Sequence, residues 1–229
     1  ELCITGYTCQ DLFLQRRLLD SAWETLMRIA AETADVDALI FLGVPVRNKG
    51  KLYNVAAVLN RGEILGLVPK SYLPNYGEFY EQRHFVSGLG CLEFMSINGK
   101  KIPFGTNLLF VCEELQELIV AAEICEDLWV NMPPSVIHAQ AGANLIVNLS
   151  ASNEMVGKDS YRRSLVSGQS ARLVCGYVYA NAGEGESTQD LVFGGQNMIA
   201  ENGSILAEGK RFKNGIVYSE IDVQRLNDE

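Results

Sequence analysis

Histidine is scarce in this sequence, and its cysteines are not arranged as metal ligands. The chain of 229 residues has two histidines, His84 and His138, and six cysteines that form no Cys-x-x-Cys pair. Neither histidine has a second histidine or a cysteine at the spacing of a zinc site, so we expect no bound metal. Most of the cysteines lie in apolar runs, which indicates buried thiols in a reducing compartment rather than a disulfide framework.

Long hydrophobic runs and clustered positive charges are also absent. No apolar run reaches the ~18 residues of a membrane-spanning helix, and no basic leader with an apolar centre is present. The 19 lysines and arginines against 28 aspartates and glutamates give a net charge of −9. This balance argues against a surface that neutralises nucleic-acid phosphates. We therefore expect a cytoplasmic protein with no nucleic-acid partner and no membrane partner.

No linker rich in proline, glycine or serine divides the chain, and it has no repeat or low-complexity tract. The apolar share of 48% supports a large core, so we predict one domain over residues 1–229. The sequence begins at Glu1 without a methionine, and we interpret it as an excerpt from a longer chain.

Buried strands alternate with helices along the chain, which predicts an α/β layered fold. Leucines near helical spacing predict a helix over residues 11–34, with Asp11 as its cap. Residues 70–90 carry few regular signals, which in a folded domain indicates a functional segment. The other predicted elements are strands 38–44, 53–59, 64–68, 118–125, 143–149 and 177–181, helices 134–140 and 159–174, and turns at 60–63, 98–99, 202–203 and 214–215, the last two of them between strands.

The most informative stretch is Glu-Ile-Cys-Glu-Asp-Leu-Trp, residues 123–129. The apolar run that ends at Cys125 predicts a buried strand, and Pro133-Pro134 after a polar turn predicts the start of a helix. A cysteine at such a strand end presents its sulfur at a sheet edge, where backbone N–H groups and a helix terminus stabilise a thiolate. Cys125 is therefore a candidate nucleophile. The alternative is an inert buried cysteine.

Two further motifs precede this cysteine. The sequence opens Glu-Leu-Cys-Ile-Thr-Gly-Tyr, and residues 68–76 read Val-Pro-Lys-Ser-Tyr-Leu-Pro-Asn-Tyr. Glu1, Lys70 and Cys125, each in such a setting and in that order, resemble the Glu-Lys-Cys triad of the nitrilase superfamily of carbon-nitrogen hydrolases. The glutaminase domains of glutamine-dependent NAD synthetases are more similar still, through Tyr7 with residues 11–13, residues 70–79 with Glu81, and residues 125–127 and 148–152.

The resemblance implies a fold and a chemistry. The fold is an α/β four-layer α-β-β-α sandwich of nitrilase type, which in this excerpt lacks its first strand and first helix. Cys125 would attack a carboxamide carbon and form a thioester, while Glu1 would act as the general base and acid. Lys70 would stabilise the oxyanion together with the backbone N–H of Glu126. Glu81 would orient Lys70 and hold it charged, and Glu78 competes for that role.

The resemblance also implies a substrate site for free glutamine, which carries an α-ammonium and an α-carboxylate. The substrate contacts of the family fall on Tyr7, Tyr76, Glu126, Trp129, Ser152 and Lys158. Lys158 stands where arginine is more common, so the carboxylate would meet a point charge rather than a bidentate fork. Two of these residues have an alternative interpretation: Trp129 as a core aromatic and Lys158 as a solvated lysine.

Motifs that bind phosphate are absent. Gly88-Leu89-Gly90 lacks the spacing of a dinucleotide fingerprint, and acidic residues rather than a Walker lysine follow Gly183-Glu184-Gly185. The resemblance therefore implies no cofactor in this domain, with ATP, magnesium and deamido-NAD bound by a C-terminal synthetase domain outside this sequence. We expect a homo-oligomer that takes ammonia from L-glutamine. The alternatives are a free-standing amidase or carbamoylase and a catalytically silent scaffold on the same fold.

Overall fold

Two β-sheets, one in each half of the chain, each carry a cluster of buried apolar side chains. The computed structural model describes residues 1–188 and 190–229, which separate into one unit of residues 1–108 and another of residues 109–229. None of the helices in these described ranges is long and apolar enough to cross a membrane. Strands and helices alternate through the middle of the second unit, and the α/β class predicted from the sequence is confirmed.

The first unit contains a five-stranded sheet in the order β1-β2-β3-β5-β4. Its strands are β1 Ile40–Asn48, β2 Lys51–Asn60, β3 Glu63–Pro69, β4 Leu92–Ile97 and β5 Lys100–Gly105. β3 and β5 are parallel, and the other neighbours are antiparallel. The helices of this unit are a 3-10 helix at Gln10–Leu14, α1 at Arg16–Glu32 and the short α2 at Glu81–His84.

Two-residue turns connect the antiparallel neighbours in this sheet. The residues of the Asn98-Gly99 turn have φ of +50° and +80°, and those of the Arg61-Gly62 turn have +44° and +84°. Turns with two left-handed residues match the twist of the flanking strands, and glycine adopts the second position without strain. The turns predicted at 60–63 and 98–99 are therefore confirmed, and they fix the register of β2 on β3 and of β4 on β5.

The helix predicted over residues 11–34 is interrupted. Gln15 has an extended backbone with φ −83° and ψ 124°, so the α-helix begins only at Arg16. Asp11 is not its cap, because the Asp11 carboxylate accepts a hydrogen bond of 2.7 Å from Arg83 instead. A charged partner 72 residues away in the sequence therefore competes with the local capping role.

α1 covers the sheet of the first unit through one face. Ala22, Leu26 and Ala30 recur at a spacing of four residues, which places them on the same side of the helix. They share a buried cluster with Val44 of β1 and Leu67 of β3. Exposed ion pairs such as Arg16–Asp20 lie on other faces of the helix and contribute little to stability.

The second unit contains a six-stranded sheet in the order β11-β10-β9-β8-β7-β6. Its strands are β6 Phe110–Val111, β7 Ile119–Ile124, β8 Leu145–Ser150, β9 Gly176–Asn181, β10 Met198–Glu201 and β11 Ser204–Glu208. The helices are a 3-10 helix at Cys125–Leu128, α3 at Pro134–Gln140, α4 at Lys158–Leu173 and α5 at Val223–Asp228.

The three middle strands β7, β8 and β9 are parallel, with α3 and α4 as the crossover helices between them. Ala121 pairs with Ile146, and Ile146 pairs with Tyr177, in one row across these strands. All three are buried in the same cluster as Val166 of α4. Parallel strands point their carboxyl ends the same way, so the residues that follow β7 and β8 reach one edge of this sheet.

Most of the elements predicted for the second unit are confirmed to within one or two residues, including α3 with Pro134 at its first position. The turn at Asn202-Gly203 joins β10 to β11 as predicted. The strands predicted around 214–215 are wrong, because residues 209–222 form neither helix nor strand. This segment bonds instead to irregular backbone: the N–H of Gly209 donates to Asn197 O at 2.8 Å, and that of Phe212 to Gly194 O at 2.7 Å.

A pair of glycine substitutions tests the packing of the chain start on β1. The N–H of Ile4 donates to Gly43 O at 3.2 Å, and a methyl group on Gly43 would lie 2.2 Å from the backbone nitrogen of Leu2. Gly43→Ala should therefore lower the free energy of unfolding by about 1–3 kcal/mol. Gly168→Ala in α4 meets nothing within 4 Å and should raise it by about 0.5–1 kcal/mol.

Urea denaturation followed by circular dichroism measures both changes. Equal midpoints for Gly43→Ala and the unsubstituted protein would contradict the close approach of residues 1–4 to β1.

Candidate active site

A buried cluster of three ionisable side chains lies in the first unit. Lys70 Nζ is 2.6 Å from Glu1 Oε1 and 2.5 Å from Glu81 Oε1. The side chains of Lys70 and Glu1 are fully buried, and that of Glu81 is 4% exposed. Asn54 Nδ2 donates to Glu1 Oε1 at 2.6 Å, and the Tyr7 hydroxyl donates to Glu81 Oε1 at 2.7 Å. Charges removed from water need such partners, because each one is strongly destabilising when left alone.

The fold fixes the cluster through the backbone of Lys70. This residue follows β3 directly, and its N–H donates to Asn54 O of β2 at 2.8 Å. Its carbonyl accepts from the N–H of Gly88 at 2.8 Å, which closes the segment 71–87 into a loop. Glu81 lies in that loop at the start of α2. Most of the predicted functional segment, residues 70–90, is therefore a loop whose two ends are hydrogen-bonded to each other at Lys70 and Gly88.

Two carboxyl groups share a single ammonium group in this cluster. Burial raises the pKa of Glu81 to about 8; Lys70 opposes this shift, Glu1 adds to it, and the hydrogen bond from Tyr7 opposes it. Near neutral pH, Glu81 therefore holds a proton while Lys70 and Glu1 form the charged pair.

In the second unit, Cys125 occupies a strained bend. β7 ends at Ile124, and Cys125 has φ of +45°, a conformation that costs a non-glycine residue about 1–2 kcal/mol. Two side chains hold the bend: Asp127 Oδ2 accepts the N–H of Ile124 at 2.9 Å, and Asn148 Oδ1 accepts the N–H of Cys125 at 3.1 Å. Strain of this kind persists where the surroundings enforce it, commonly at functional sites.

The polar turn and the helix predicted after Cys125 are both present. One turn of 3-10 helix, Cys125–Leu128, follows the strand directly, and α3 begins only at Pro134. The first turn of α3 also has a partner of its own, since the N–H of Ser135 donates to Glu123 Oε2 at 2.9 Å. Pro133 and Pro134 set the later helix start, because proline has no N–H and suits the first helical turn.

The predicted substrate residues of the first unit differ in exposure. Tyr7 is half-buried, and its hydroxyl contacts Glu81 as described above. Tyr76 is 58% exposed, and its ring meets Phe79 edge-on with 5.9 Å between the centroids. Tyr7 therefore belongs to the charged cluster, whereas Tyr76 lies at the surface of the 70–90 segment.

Three of the predicted substrate residues of the second unit, Lys158, Trp129 and Ser152, lie in or next to the loop after β8. Lys158 donates to Asn153 Oδ1, and its ammonium lies 5.0 Å from the centroid of the Trp129 ring. Ser152 is 1% exposed, and Glu126 is half-buried in the turn after Cys125. The structure thus brings Lys158 and Trp129 into a cation–π contact, which gives both side chains a defined place.

Arg162, a residue that no sequence motif marks as functional, organises the same loop. Its fully buried guanidinium donates to Ser152 Oγ at 3.3 Å, to Asn153 O at 2.7 Å, to Glu154 Oε1 at 2.8 Å and to Gln196 Oε1 at 2.5 Å. The local sequence Tyr-Arg-Arg suggests a surface. Helical spacing is the signal that could have revealed the burial, because residues 162, 166 and 169–170 share one face of α4.

Possible metal ligands and cysteines are dispersed over the described residues. Within those ranges, no group of three or more histidine, cysteine, aspartate or glutamate side chains could hold a metal ion. All six cysteines lie in the described part of the chain, and none forms a disulfide. Burial raises the pKa of the Cys175 thiol to about 12, with the charge of Glu123 adding to the shift, so this thiol is unreactive at neutral pH.

The raised pKa of Glu81 predicts a pH-dependent stability. Between the ordinary value of 4.5 and the value of about 8, the folded state holds more protons than the unfolded state. The free energy of unfolding should therefore fall as pH rises through this window, by up to about 1.4 kcal/mol per pH unit from this group. Glu81→Gln should remove this contribution, and Glu78→Gln, a half-buried carboxyl three residues away, should keep it.

Thermal unfolding from pH 5 to pH 8 tests the slope. Identical slopes in the Glu81→Gln and Glu78→Gln proteins would show that Glu81 titrates normally.

Comparison with known proteins agrees with these features. A family model described as carbon-nitrogen hydrolase matches residues 1–228. The glutamine-dependent NAD(+) synthetase of Mycobacterium tuberculosis is 46% identical over 223 residues, which cover 97% of this chain and 33% of that protein. This chain spans about a third of the length of the curated relatives that it matches.

Solved structures share the fold. The crystal structure of a glutamine-dependent NAD(+) synthetase from Cytophaga hutchinsonii matches with a TM-score of 0.83 and 34% identity, over 95% of this chain and 35% of that one. A carbon-nitrogen hydrolase from Helicobacter pylori matches with a TM-score of 0.73 at 19% identity, over 98% of this chain and 74% of that one. The family model covers nearly every residue, so the chain belongs to the carbon-nitrogen hydrolase family.

Proposed function

We propose that this chain hydrolyses L-glutamine to glutamate and ammonia through a cysteine thioester. The observation that carries the proposal is the buried contact of Lys70 with Glu1 and Glu81. Hydrolysis of a carbon–nitrogen bond needs a proton carrier and a stabiliser for the oxyanion, and this contact offers both groups. Similarity to relatives that are named glutamine-dependent supports glutamine as the amide.

The reaction runs in two halves. The Cys125 sulfur bonds to the carboxamide carbon, and the thiol proton goes to Glu1. Glu1 passes this proton to the nitrogen, the C–N bond breaks, and ammonia leaves behind a thioester. Glu1 then takes a proton from water, the resulting oxygen nucleophile displaces the sulfur, and the proton returns to Cys125 as glutamate departs.

Lys70 serves as the electrostatic stabiliser in this proposal. Its ammonium and the backbone N–H of Glu126 donate to the oxyanion of each tetrahedral intermediate. Glu81 and its hydrogen bond from Tyr7 keep the ammonium in one position. A donor that is already oriented needs no rearrangement when charge develops on the substrate, which is the source of the rate enhancement.

Glutamine recognition in this proposal uses Tyr7, Tyr76, Glu126, Trp129, Ser152 and Lys158. Lys158 supplies the cation for the α-carboxylate, and its contacts with Asn153 and Trp129 support a fixed position for its charge. Glu126 is the acceptor for the α-ammonium group. Arg162 supports the loop that carries Ser152 and Asn153.

The ammonia is used, in our proposal, by an ATP-dependent synthetase domain that converts deamido-NAD to NAD. The support is the length of the relatives, since this chain covers 33% of the M. tuberculosis protein. ATP and magnesium belong to that domain. A homo-oligomeric state and a cytoplasmic location stay predictions.

Cys125→Ser in the full-length product of the gene tests the two-site arrangement. Glutamine hydrolysis and glutamine-dependent NAD formation should fall by at least about 10³-fold, because serine is a far weaker nucleophile than a thiol. NAD formation from free ammonia should stay within twofold, roughly the reproducibility of such assays. Cys112→Ser, a half-buried cysteine of the same unit, is the control and should leave both reactions intact.

Loss of the ammonia-dependent reaction in Cys125→Ser would contradict a separate synthetase site. Hydrolysis of simple amides without hydrolysis of glutamine would indicate a free-standing amidase instead.

Lys70→Met separates the two roles of the buried ammonium. The kcat for glutamine should fall by about 10²-fold or more, since an oxyanion donor is lost. The free energy of unfolding should fall by about 3 kcal/mol, because the Glu1 carboxylate is left buried without its cation. Adding Glu81→Gln, which exchanges a protonated carboxyl for another neutral group, should restore neither the stability nor the kcat.

Steady-state kinetics and urea denaturation of the single and double variants give these values. A Lys70→Met enzyme altered in KM alone would place this lysine in ground-state binding.

A further inference from the structure

Asn148 connects the three parallel strands of the second unit through its side chain. It lies in the middle of β8 with no solvent exposure. Its Oδ1 accepts the N–H of Cys125 at 3.1 Å and the hydroxyl of Ser150 at 2.7 Å. Its Nδ2 donates to the hydroxyl oxygen of Tyr177 on β9 at 3.1 Å. One amide therefore ties the bend after β7 to both of the next two strands.

A buried carboxylate sets the direction of these hydrogen bonds. Tyr177 has a single hydroxyl proton and donates it to Glu123 Oε1. Glu123 is 1% exposed, and its other oxygen accepts from the N–H of Ser135. Since the Tyr177 proton is committed to Glu123, its oxygen can only accept from Asn148, so the amide cannot turn over. Burial and the charge of Glu123 raise the pKa of Tyr177 well above its usual range, which keeps the phenol protonated as a donor.

The amide orientation has a direct consequence at Cys125. The tie from Asp127 to Ile124 spans three residues and belongs to the turn itself. The tie from Asn148 comes from the neighbouring strand, so it fixes the turn relative to the sheet. The N–H of Cys125 is already bonded to Asn148 and cannot also donate to the oxyanion. In our mechanism the backbone N–H of Glu126 does so instead.

We propose that Asn148 is a positioning residue for the Cys125 nucleophile, oriented by the hydrogen-bond series from Tyr177 to Glu123. The inference rests on the proposed function in one respect, namely that Cys125 is the nucleophile. Without the Asn148 acceptor, the left-handed bend relaxes and the sulfur moves from its reactive position. A displacement of about 1 Å is enough to reduce the rate of a reaction by about 100-fold.

The chain contains a matched control at the other end of the same two strands. Asn144 precedes β8, is 6% exposed, and its Oδ1 accepts the N–H of Ile119 at 3.1 Å. Asn144 and Asn148 thus make the same bond at the same distance to opposite ends of β7. Substituting alanine at either position removes the same atoms and a comparable structural bond, but only Asn148 touches the bend at Cys125.

The experiment compares Asn148→Ala with Asn144→Ala in the full-length product of the gene. Three quantities are measured: the unfolding midpoint, kcat and KM for glutamine, and the rate of Cys125 alkylation by iodoacetamide between pH 6 and pH 10, read by peptide mapping. Asn148→Ala should lower kcat and the alkylation rate by about 10- to 100-fold, with KM changed less than about threefold. Asn144→Ala should keep kcat and the alkylation rate within about twofold while shifting the midpoint by a similar amount.

Equal alkylation rates and equal kcat values in the two variants would overturn the positioning role. If the unsubstituted protein does not hydrolyse glutamine but the alkylation difference persists, the proposed function fails and the positioning of Cys125 stands. If Asn148→Ala does not fold, Tyr177→Phe replaces it, because loss of one hydroxyl frees the amide to turn over. That variant should slow alkylation by at least about threefold, and an unchanged rate would overturn the proposal.

Discussion

The burial of the Lys70 ammonium between two carboxyl groups is the constraint on which the first unit depends. A charge without water is tolerated only with close, well-directed partners, and Glu1 and Glu81 supply them at 2.6 and 2.5 Å. Two other parts of the unit position these groups. Asn54 of β2 donates a hydrogen bond to Glu1. The loop of residues 71–87 starts and ends at the backbone of Lys70 and carries Glu81. The same contact gives the cluster a carboxyl group that can exchange a proton near neutral pH.

In the second unit, the main constraint is the strained backbone of Cys125 at the end of β7. Parallel pairing of β7, β8 and β9 brings the ends of neighbouring strands to one edge. Apolar rows such as Ala121, Ile146 and Tyr177 hold the strands together, and a polar series from Glu123 to Asn148 crosses the same sheet. Fully satisfied buried polar networks specify a single arrangement, because a partial one is costly. Hydrogen bonding therefore defines the bend at Cys125 more sharply than apolar packing could.

Local chemistry explains which elements the sequence predicts. Asn98-Gly99 and Asn202-Gly203 specify tight turns through backbone preference alone, and Pro134 specifies the start of α3. The triad residues in their order resemble a family that the match over residues 1–228 confirms. The prediction failed where distant partners compete with local ones. Asp11 pairs with Arg83 instead of capping α1, and residues 209–222 form neither helix nor strand where strands were predicted around 214–215.

The sequence by itself determined the family, most of the strands and helices, and the candidate residues Glu1, Lys70 and Cys125, because these depend on residue type, order and local periodicity. Only the tertiary structure decided which polar side chains are buried and which hydrogen-bond or ion-pair partners they have. The raised pKa of Glu81, the buried Arg162 and the oriented amide of Asn148 all arise in this way. Burial and long-range pairing depend on residues tens of positions apart, and no local pattern along the chain records them.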